Sequence, residues 1–357
     1  GLLQGSLIRS LNGSQFDPRD LPYLRPATLQ GGAQELRFTL DRRQLPSPLP
    51  AGWRVLGEHD SSVEIGCASA EVLLKHPLTS KISSAGQLPD GFDPAALYAS
   101  RSHPRALQMT VFGTSDAVNS MGIDWETIRA AVAPDAISVY AGNCMGQLDQ
   151  AGFGGMLQAR LLGRPVSSKQ LPLGLTEMPA DFINAYLLGN LGTTGTSVAA
   201  CATFLYNLRQ GILDIQAGRS RVAIIGASEA PLTPEVFEGF GVMGALGDDA
   251  GLRALDGLAA DAPIDSRRAC RPFGENCGFT LAESAQFTIL MDDALALELG
   301  ANILGAVSDV FINADGYKKS IAGPGLGNYL TVARAAAAAR SILGAERLRE
   351  RSRVQAH

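Results

Sequence analysis

The chain has 357 residues, 46% of them hydrophobic, which is enough apolar material for one large domain or two medium ones with packed interiors. Its 30 basic and 35 acidic side chains leave a net charge of −5, and no Lys/Arg cluster has the density of a phosphate-binding face, which argues against nucleic acid as a partner. The longest apolar stretches, such as Val222 to Ala227, are far shorter than the roughly 20 residues of a spanning helix, so no membrane insertion is expected.

In chain order, the first hundred residues are rich in Pro, Gly, Leu and Arg and hold only short alternating runs, such as Glu35-Leu36-Arg37-Phe38-Thr39-Leu40. Residues 1–103 therefore read as an irregular leader with a few edge strands, and residues 104–357 as an α/β domain. An amphipathic helix is predicted over Ala106 to Met121 and another over Thr127 to Val132, followed by a strand from Ala136 to Ala141 ending in Gly142. Helices follow at Gly152 to Leu162 and at Met178 to Leu188, the latter with Pro179 in its first turn, where a missing N–H is harmless. Gly192 to Ala200 reads as a strand, Cys201 to Ala217 as a long helix closed by Gly218, and Arg221 to Ser228 as a buried strand. Alternation continues through Ile289, Ile303 to Ile312 and an Ala-rich helix from Tyr329 to Leu343, the pattern of a layered α/β fold. A start at Gly1 without Met and a stop at His357 are the pattern expected of a segment cut at both ends.

The five cysteines, Cys67, Cys144, Cys201, Cys270 and Cys277, form neither a CxxC pair nor a His-linked ligand set, which points to a reducing, cytoplasmic compartment and no structural metal. Cys201 stands where a strand is predicted to stop and a helix to start, at the positive pole and free N–H groups of that helix. Such sites favour thiolate and make cysteine a nucleophile at neutral pH. A small buried hydrophobe is the competing reading of a cysteine among alanines. Gly226-Ala-Ser-Glu-Ala230 lacks the second glycine of a serine-hydrolase elbow, and no dinucleotide or P-loop glycine motif follows a strand, which disfavours serine-hydrolase, NAD and ATP chemistry.

Several segments resemble, in order, the blocks of β-ketoacyl-acyl carrier protein synthases of the thiolase superfamily. Gly142-Asn-Cys-Met-Gly146 is similar to the family's Gly-rich loop lining the acyl pocket, and Ala200-Cys201-Ala202 to the step bearing its nucleophile. Met178-Pro179, Gly192-Thr-Thr-Gly195, Gly226-Ala-Ser-Glu229, Phe240-Gly-Val-Met-Gly-Ala-Leu246, Arg271-Pro-Phe273, Gly278-Phe279 and Ala282-Glu283-Ser284 fit the blocks around them. Val354-Gln-Ala-His357 resembles the strand delivering the family's first active-site histidine, and the whole looks closest to a diverged bacterial branch with a long N-terminal region. The resemblance implies a thiolase-like α-β-α-β-α layered fold, of which the chain would hold the N-terminal half and the start of the C-terminal half.

It also implies decarboxylative Claisen condensation in fatty acid, or related polyketide, biosynthesis. Cys201 takes an acyl group, malonyl-acyl carrier protein loses CO2, and the resulting carbanion attacks the acyl thioester; His357 is the candidate for the first oxyanion-stabilising histidine. Met145 is the candidate floor of the acyl pocket or ordinary core filling, and Phe240 and Met243 its gate or a packed turn. No cofactor is implied beyond the phosphopantetheine that carries the substrates. The implied partners are acyl carrier protein, acyl and malonyl thioesters and a second copy, with Thr196 to Ala200 pairing across a two-fold axis. A thiolase acting on coenzyme A thioesters and a non-catalytic partner like a polyketide chain-length factor are the alternatives. Glu283, in an apolar run, is expected to be hydrogen-bonded to backbone or a basic partner; His59, His76 and His103 read as surface residues, and Arg347 to Arg353 as a solvated face.

Overall fold

The computed structural model describes residues 4–11, 13, 16–318 and 325–343. Two compact units share the chain, Leu11–Ser83 on one side and residues 1–10 with those from 84 onward on the other.

Strand β1 (Ile8–Ser10) belongs to the larger unit, and the smaller one follows with β2 (Leu24–Gln30), β3 (Leu36–Asp41), β4 (Arg54–Glu58), β5 (Ser62–Cys67) and β6 (Ser69–Lys75). Strands β2 and β6 form an antiparallel ribbon, and β5 lies between β3 and β4 in an antiparallel sheet. Val63, Ile65 and Cys67, alternate residues of β5, are buried, as one face of a pleated strand requires. This unit is more regular than the irregular leader read from the sequence, because its pairing joins distant segments such as Leu36 and Cys67 and leaves little local signal.

The larger unit resumes with β7 (Ser84–Gly86), α1 (Arg105–Ser120), α2 (Trp125–Ala131) and β8 (Ile137–Gly142). Next come α3 (Phe153–Ala159), α4 (Gln170–Leu173), α5 (Met178–Ile183), which runs into a wider π turn at Asn184–Leu188, and the short β9 (Thr194–Gly195). Then follow α6 (Thr203–Gln216), β10 (Val222–Glu229), α7 (Pro234–Val242), α8 (Asp249–Leu255), β11 (Ser284–Met291), α9 (Asp293–Glu298) and α10 (Leu326–Leu343). The sequence boundary at 103/104 differs from the structural division at 83/84, because β7 pairs antiparallel with β1 (Ile8 opposite Gly86) and ties residues 84 onward to this unit.

Its main sheet has the order β11-β10-β8-β9; β8 runs parallel to both β9 and β10, and β11 closes the far edge antiparallel to β10. All six residues of β8 and the first five of β10 are buried, the mark of central strands covered on both faces. Ile137, Val139, Val222 and Ile224 face a core shared with Ile128, Ile183 and Leu295, while Tyr140, Ala223 and Ile225 face Phe204, Leu208 and Ile215 of α6. Helices thus cover both faces of the sheet.

Two expectations are corrected. The strand expected over Gly192 to Ala200 is confined to Thr194–Gly195, and α6 starts at Thr203 rather than at Cys201. The intervening residues leave the sheet because buried Asn207 draws them toward α6, its Oδ1 accepting from the Ser197 N–H at 2.8 Å and its Nδ2 donating to Thr196 Oγ1 at 2.9 Å. Ile303 to Ile312 forms no strand; Ile303, Leu304 and Val307 are exposed, and the segment has no ladder partner among the described residues.

Candidate active site

Because β8, β9 and β10 are parallel, their C-terminal ends leave the sheet on one edge, the position at which open α/β sheets place their ligands. Three ionisable side chains come from that edge: Cys144 from the turn after β8, Cys201 from the loop after β9, and Glu229, the last residue of β10.

Cys201 sits on a tight turn. Ala200 before it has φ 49°, a left-handed conformation that costs an L-residue roughly 1–2 kcal/mol and so must be held by its surroundings. The hold is visible: Thr203 Oγ1 donates to the Ala200 carbonyl at 2.7 Å and accepts from the Ala199 N–H at 3.1 Å, and the Ala202 N–H donates to the Ala199 carbonyl at 3.0 Å. The turn presents Cys201 to solvent directly before Ala202, the N-cap of α6. It is therefore not the buried hydrophobe that composition alone allowed.

Cys144, by contrast, is partly buried and paired. Its backbone N–H donates to Glu229 Oε1 at 2.6 Å and its thiol is hydrogen-bonded to the same carboxylate. Burial, with the charges of Glu229 and Cys201 nearby, pushes the Cys144 thiol up to about 12, so at neutral pH it stays a donor rather than a nucleophile. Burial also raises the Glu229 carboxyl, against the hydrogen bonds from Cys144 that hold it down.

Met145 follows Cys144, half-buried, in a turn strapped on its other side. Gly146 is left-handed at φ 72° and packs on Gly174 and Phe153; the Asn143 N–H donates to the Thr176 carbonyl at 3.1 Å, Asn143 Nδ2 to Gln147 Oε1 at 2.8 Å, and the Gln147 N–H to the Gly174 carbonyl at 3.0 Å. Phe240 and Met243 come from a different element, at the end of α7. The Phe240 ring stands edge-on to Phe279 with centroids 5.3 Å apart, Phe279 exchanges backbone bonds with Ala245 and Gly247, and Met243 is half-exposed. The structure brings Cys201 and Cys144 within electrostatic reach and ties Cys144 to Glu229. His357 lies outside the described residues, as do Arg347 to Arg353.

Glu283 is held as its apolar context requires: the side chain is 1% exposed, bidentate to Arg105 at 2.5 and 3.0 Å, and accepts from the Leu88 N–H at 2.9 Å. His103 corrects the surface reading. Half-buried, it contacts the Tyr98 hydroxyl through Nδ1 at 3.0 Å and the Tyr186 hydroxyl through Nε2 at 3.2 Å; burial and the Lys169 charge hold its pKa below the usual value. It borders an open cavity of about 430 Å³ that also meets Lys169, Asp181 and Phe182.

Residues 68–295 match the family described as the N-terminal domain of β-ketoacyl synthases. The chain belongs to the β-ketoacyl synthase family. Over 358 aligned residues it is 51% identical to the β-ketoacyl-[acyl-carrier-protein] synthase FabY of Pseudomonas aeruginosa, an alignment covering 100% of this chain and 56% of FabY. It is 26% identical over 214 residues to the 3-oxoacyl-[acyl-carrier-protein] synthase 2 of Staphylococcus aureus, covering 60% of this chain and 48% of that one. The crystal structure of the P. aeruginosa ketosynthase FabY superposes with a TM-score of 0.90 at 52% identity, covering 94% of this chain and 53% of that one. The fold is thus the thiolase-like ketosynthase fold. The chain spans about half the length of FabY. Among the described residues, no helix is long and apolar enough to cross a membrane.

Within this family setting, Cys201 stood out as the candidate nucleophile from its motif, whereas the pairing of Cys144 with Glu229 was not legible. Both residues lie in quoted motifs, but they are 85 positions apart and only the parallel ends of β8 and β10 bring them together.

Proposed function

We propose that this chain supplies the acyl-accepting part of a β-ketoacyl-acyl carrier protein synthase of fatty acid biosynthesis. The observation that carries the reading is the exposed Cys201 on a strained turn at the carboxyl edge of three parallel strands, in a chain of this family. The Cys201 sulfur attacks the carbonyl of an acyl thioester, forming a new thioester and releasing the carrier's thiol. Malonyl-acyl carrier protein then loses CO2, and its carbanion attacks the Cys201 thioester to give the β-ketoacyl product and free the cysteine. His357 is the proposed first oxyanion donor, a role worth about 3–4 kcal/mol in comparable sites. Met145 forms the floor of the acyl pocket, and Phe240 and Met243 its gate.

The proposed partners are acyl carrier protein and a second copy of the chain. Apolar Leu191 and Val198, three residues before and after edge strand β9, stand exposed, which supports a dimer through that edge. The reaction needs no cofactor beyond the phosphopantetheine of its substrates, and its proposed location is the cytoplasm. Similarity to curated synthases does not favour the thiolase or chain-length-factor readings.

The test is intact mass spectrometry of the gene's full-length product, wild type and Cys201→Ser, after incubation with short, medium and long acyl thioesters. The expected result is an adduct of acyl mass in the wild type that is lost in the variant. Absence of an adduct with every donor sinks the reading.

A further inference from the structure

Glu229 carries a question the proposed chemistry does not answer. Glu229 is partly buried at the end of β10, and among the described residues the hydrogen bonds recorded for its side chain come from Cys144, with no cation beside it. An ionisable group withdrawn from water is costly unless it is partnered, so its place at the active edge calls for a role.

The turn it touches is anchored on its other side. Asn143 is bonded through backbone and side chain, Gly146 is wedged against Gly174 and Phe153, and Gln147 is bonded through its N–H and through Nε2 to the Leu175 carbonyl at 3.1 Å. These anchors all lie within residues 143–176, on the β8 side of the edge. The β8–β10 ladder ends at Gly142 opposite Ala227, and beyond it Glu229 is, among the described residues, the side chain that ties the turn to β10, through the Cys144 N–H and thiol. Met145, between these anchors, is half-buried.

We propose that Glu229 is a positioning residue that selects acyl chain length: it clamps the Cys144 turn to the end of β10 and so fixes where Met145 closes the acyl pocket. This rests on the reading that Cys201 accepts an acyl group. A flexible thioether limits chain length sharply only if its backbone is pinned, because the side chain itself adapts to apolar ligands. With the clamp gone, the turn can pivot about its remaining anchors and the pocket floor recedes. The same carboxylate keeps the Cys144 thiol a donor, so the acyl group is offered one nucleophile, Cys201.

The experiment measures acyl loading of Cys201 by mass spectrometry on the full-length product, comparing long with short acyl thioesters for wild type, Glu229→Ala, Glu229→Gln, Cys144→Ala and Cys144→Ser. Glu229→Ala is expected to raise the long-to-short ratio about tenfold, since displacements near 1 Å change rates by up to about a hundredfold. Glu229→Gln, whose amide oxygen still accepts from the Cys144 N–H, and Cys144→Ser, whose hydroxyl still donates, should stay within about twofold of wild type; a purely stabilising role would leave all ratios alike. Should Glu229→Ala fail to fold, Cys144→Ala against Cys144→Ser decides, with a shift of about threefold expected. A folded Glu229→Ala with the wild-type ratio overturns the inference, as does a Glu229→Gln shifted as far as Glu229→Ala. A wild type that accepts no acyl group overturns the synthase reading and the inference with it, and is recognised before any variant is compared.

Discussion

At the scale of single residues, Ala200 is the position where the chain accepts strain next to Cys201. Its φ of 49° suits glycine, and a β-branched side chain there is a genuine outlier. Ala200→Gly is expected to be neutral or to stabilise by up to about 1 kcal/mol, and Ala200→Val to destabilise by about 2 kcal/mol, both read from urea midpoints. Alkylation of Cys201 should slow in Ala200→Val, because the turn that exposes the sulfur has to rearrange; an unchanged rate together with an unchanged midpoint would show that Ala200 is under no constraint. Cys201 as the candidate nucleophile was legible from Ala200-Cys-Ala202 and the blocks around it. That Ala200 is left-handed was not, since alanine carries no left-handed signal and the conformation is imposed by Thr203 from the following helix.

At the scale of elements, the crossing from β11 to α9 shows how a charge fastens the sheet edge. Asp292 caps α9 by accepting from the Leu295 N–H at 2.8 Å and is bidentate to Arg221, which directly precedes β10, at 2.8 and 3.2 Å. The Arg221 guanidinium holds the Asp292 carboxyl below the usual carboxylate range. A carboxyl lowered by folding adds stability that is present above its unfolded pKa of about 3.9 and is lost as pH falls through the native value. Asp292→Asn keeps a capping oxygen and removes the charge, so it should be less stable than wild type at pH 7, with the gap closing below about pH 4 in denaturant titrations. Asp292→Ala should cost about 1 kcal/mol for the cap alone even at the acid end. A gap for Asp292→Asn that is the same at every pH would refute the charge argument. The elements themselves were well marked where one face is buried over several turns or where a strand is buried throughout: α1, α6, β8 and β10 fall within a few residues of their expected bounds. Strand β9 was not, because the Gly/Thr/Ser/Val run preceding Cys201 has strand-like composition whether it is paired or pulled out of the sheet by Asn207.

At the scale of the whole molecule, the smaller unit enters and leaves the chain at one place. Ser10 of β1 is the ladder partner of Ser84 of β7, and just beyond them the Leu11 N–H donates to the Ser83 carbonyl at 2.8 Å. Replacing residues 12–82 by an Asn-Gly turn, which suits a two-residue hairpin, is therefore expected to leave the larger unit folded, with cooperative thermal unfolding and wild-type alkylation of Cys201. An aggregated product with no cooperative transition would show that the larger unit does not hold its fold alone. The sequence by itself determined the α/β alternation from Pro104 onward and the synthase family, and marked Cys201 as the candidate nucleophile, because burial on a helix face or along a buried strand repeats within a few residues and motif order survives in one dimension. Only the tertiary structure decided that Cys144 meets Glu229, that Arg105 neutralises Glu283, that His103 stands between Tyr98 and Tyr186, and that residues 11–83 form a unit of their own. Apart from His103 and Tyr98, these partners lie far apart along the chain, and sheet pairing and loop closure bring them together without leaving any local period to read.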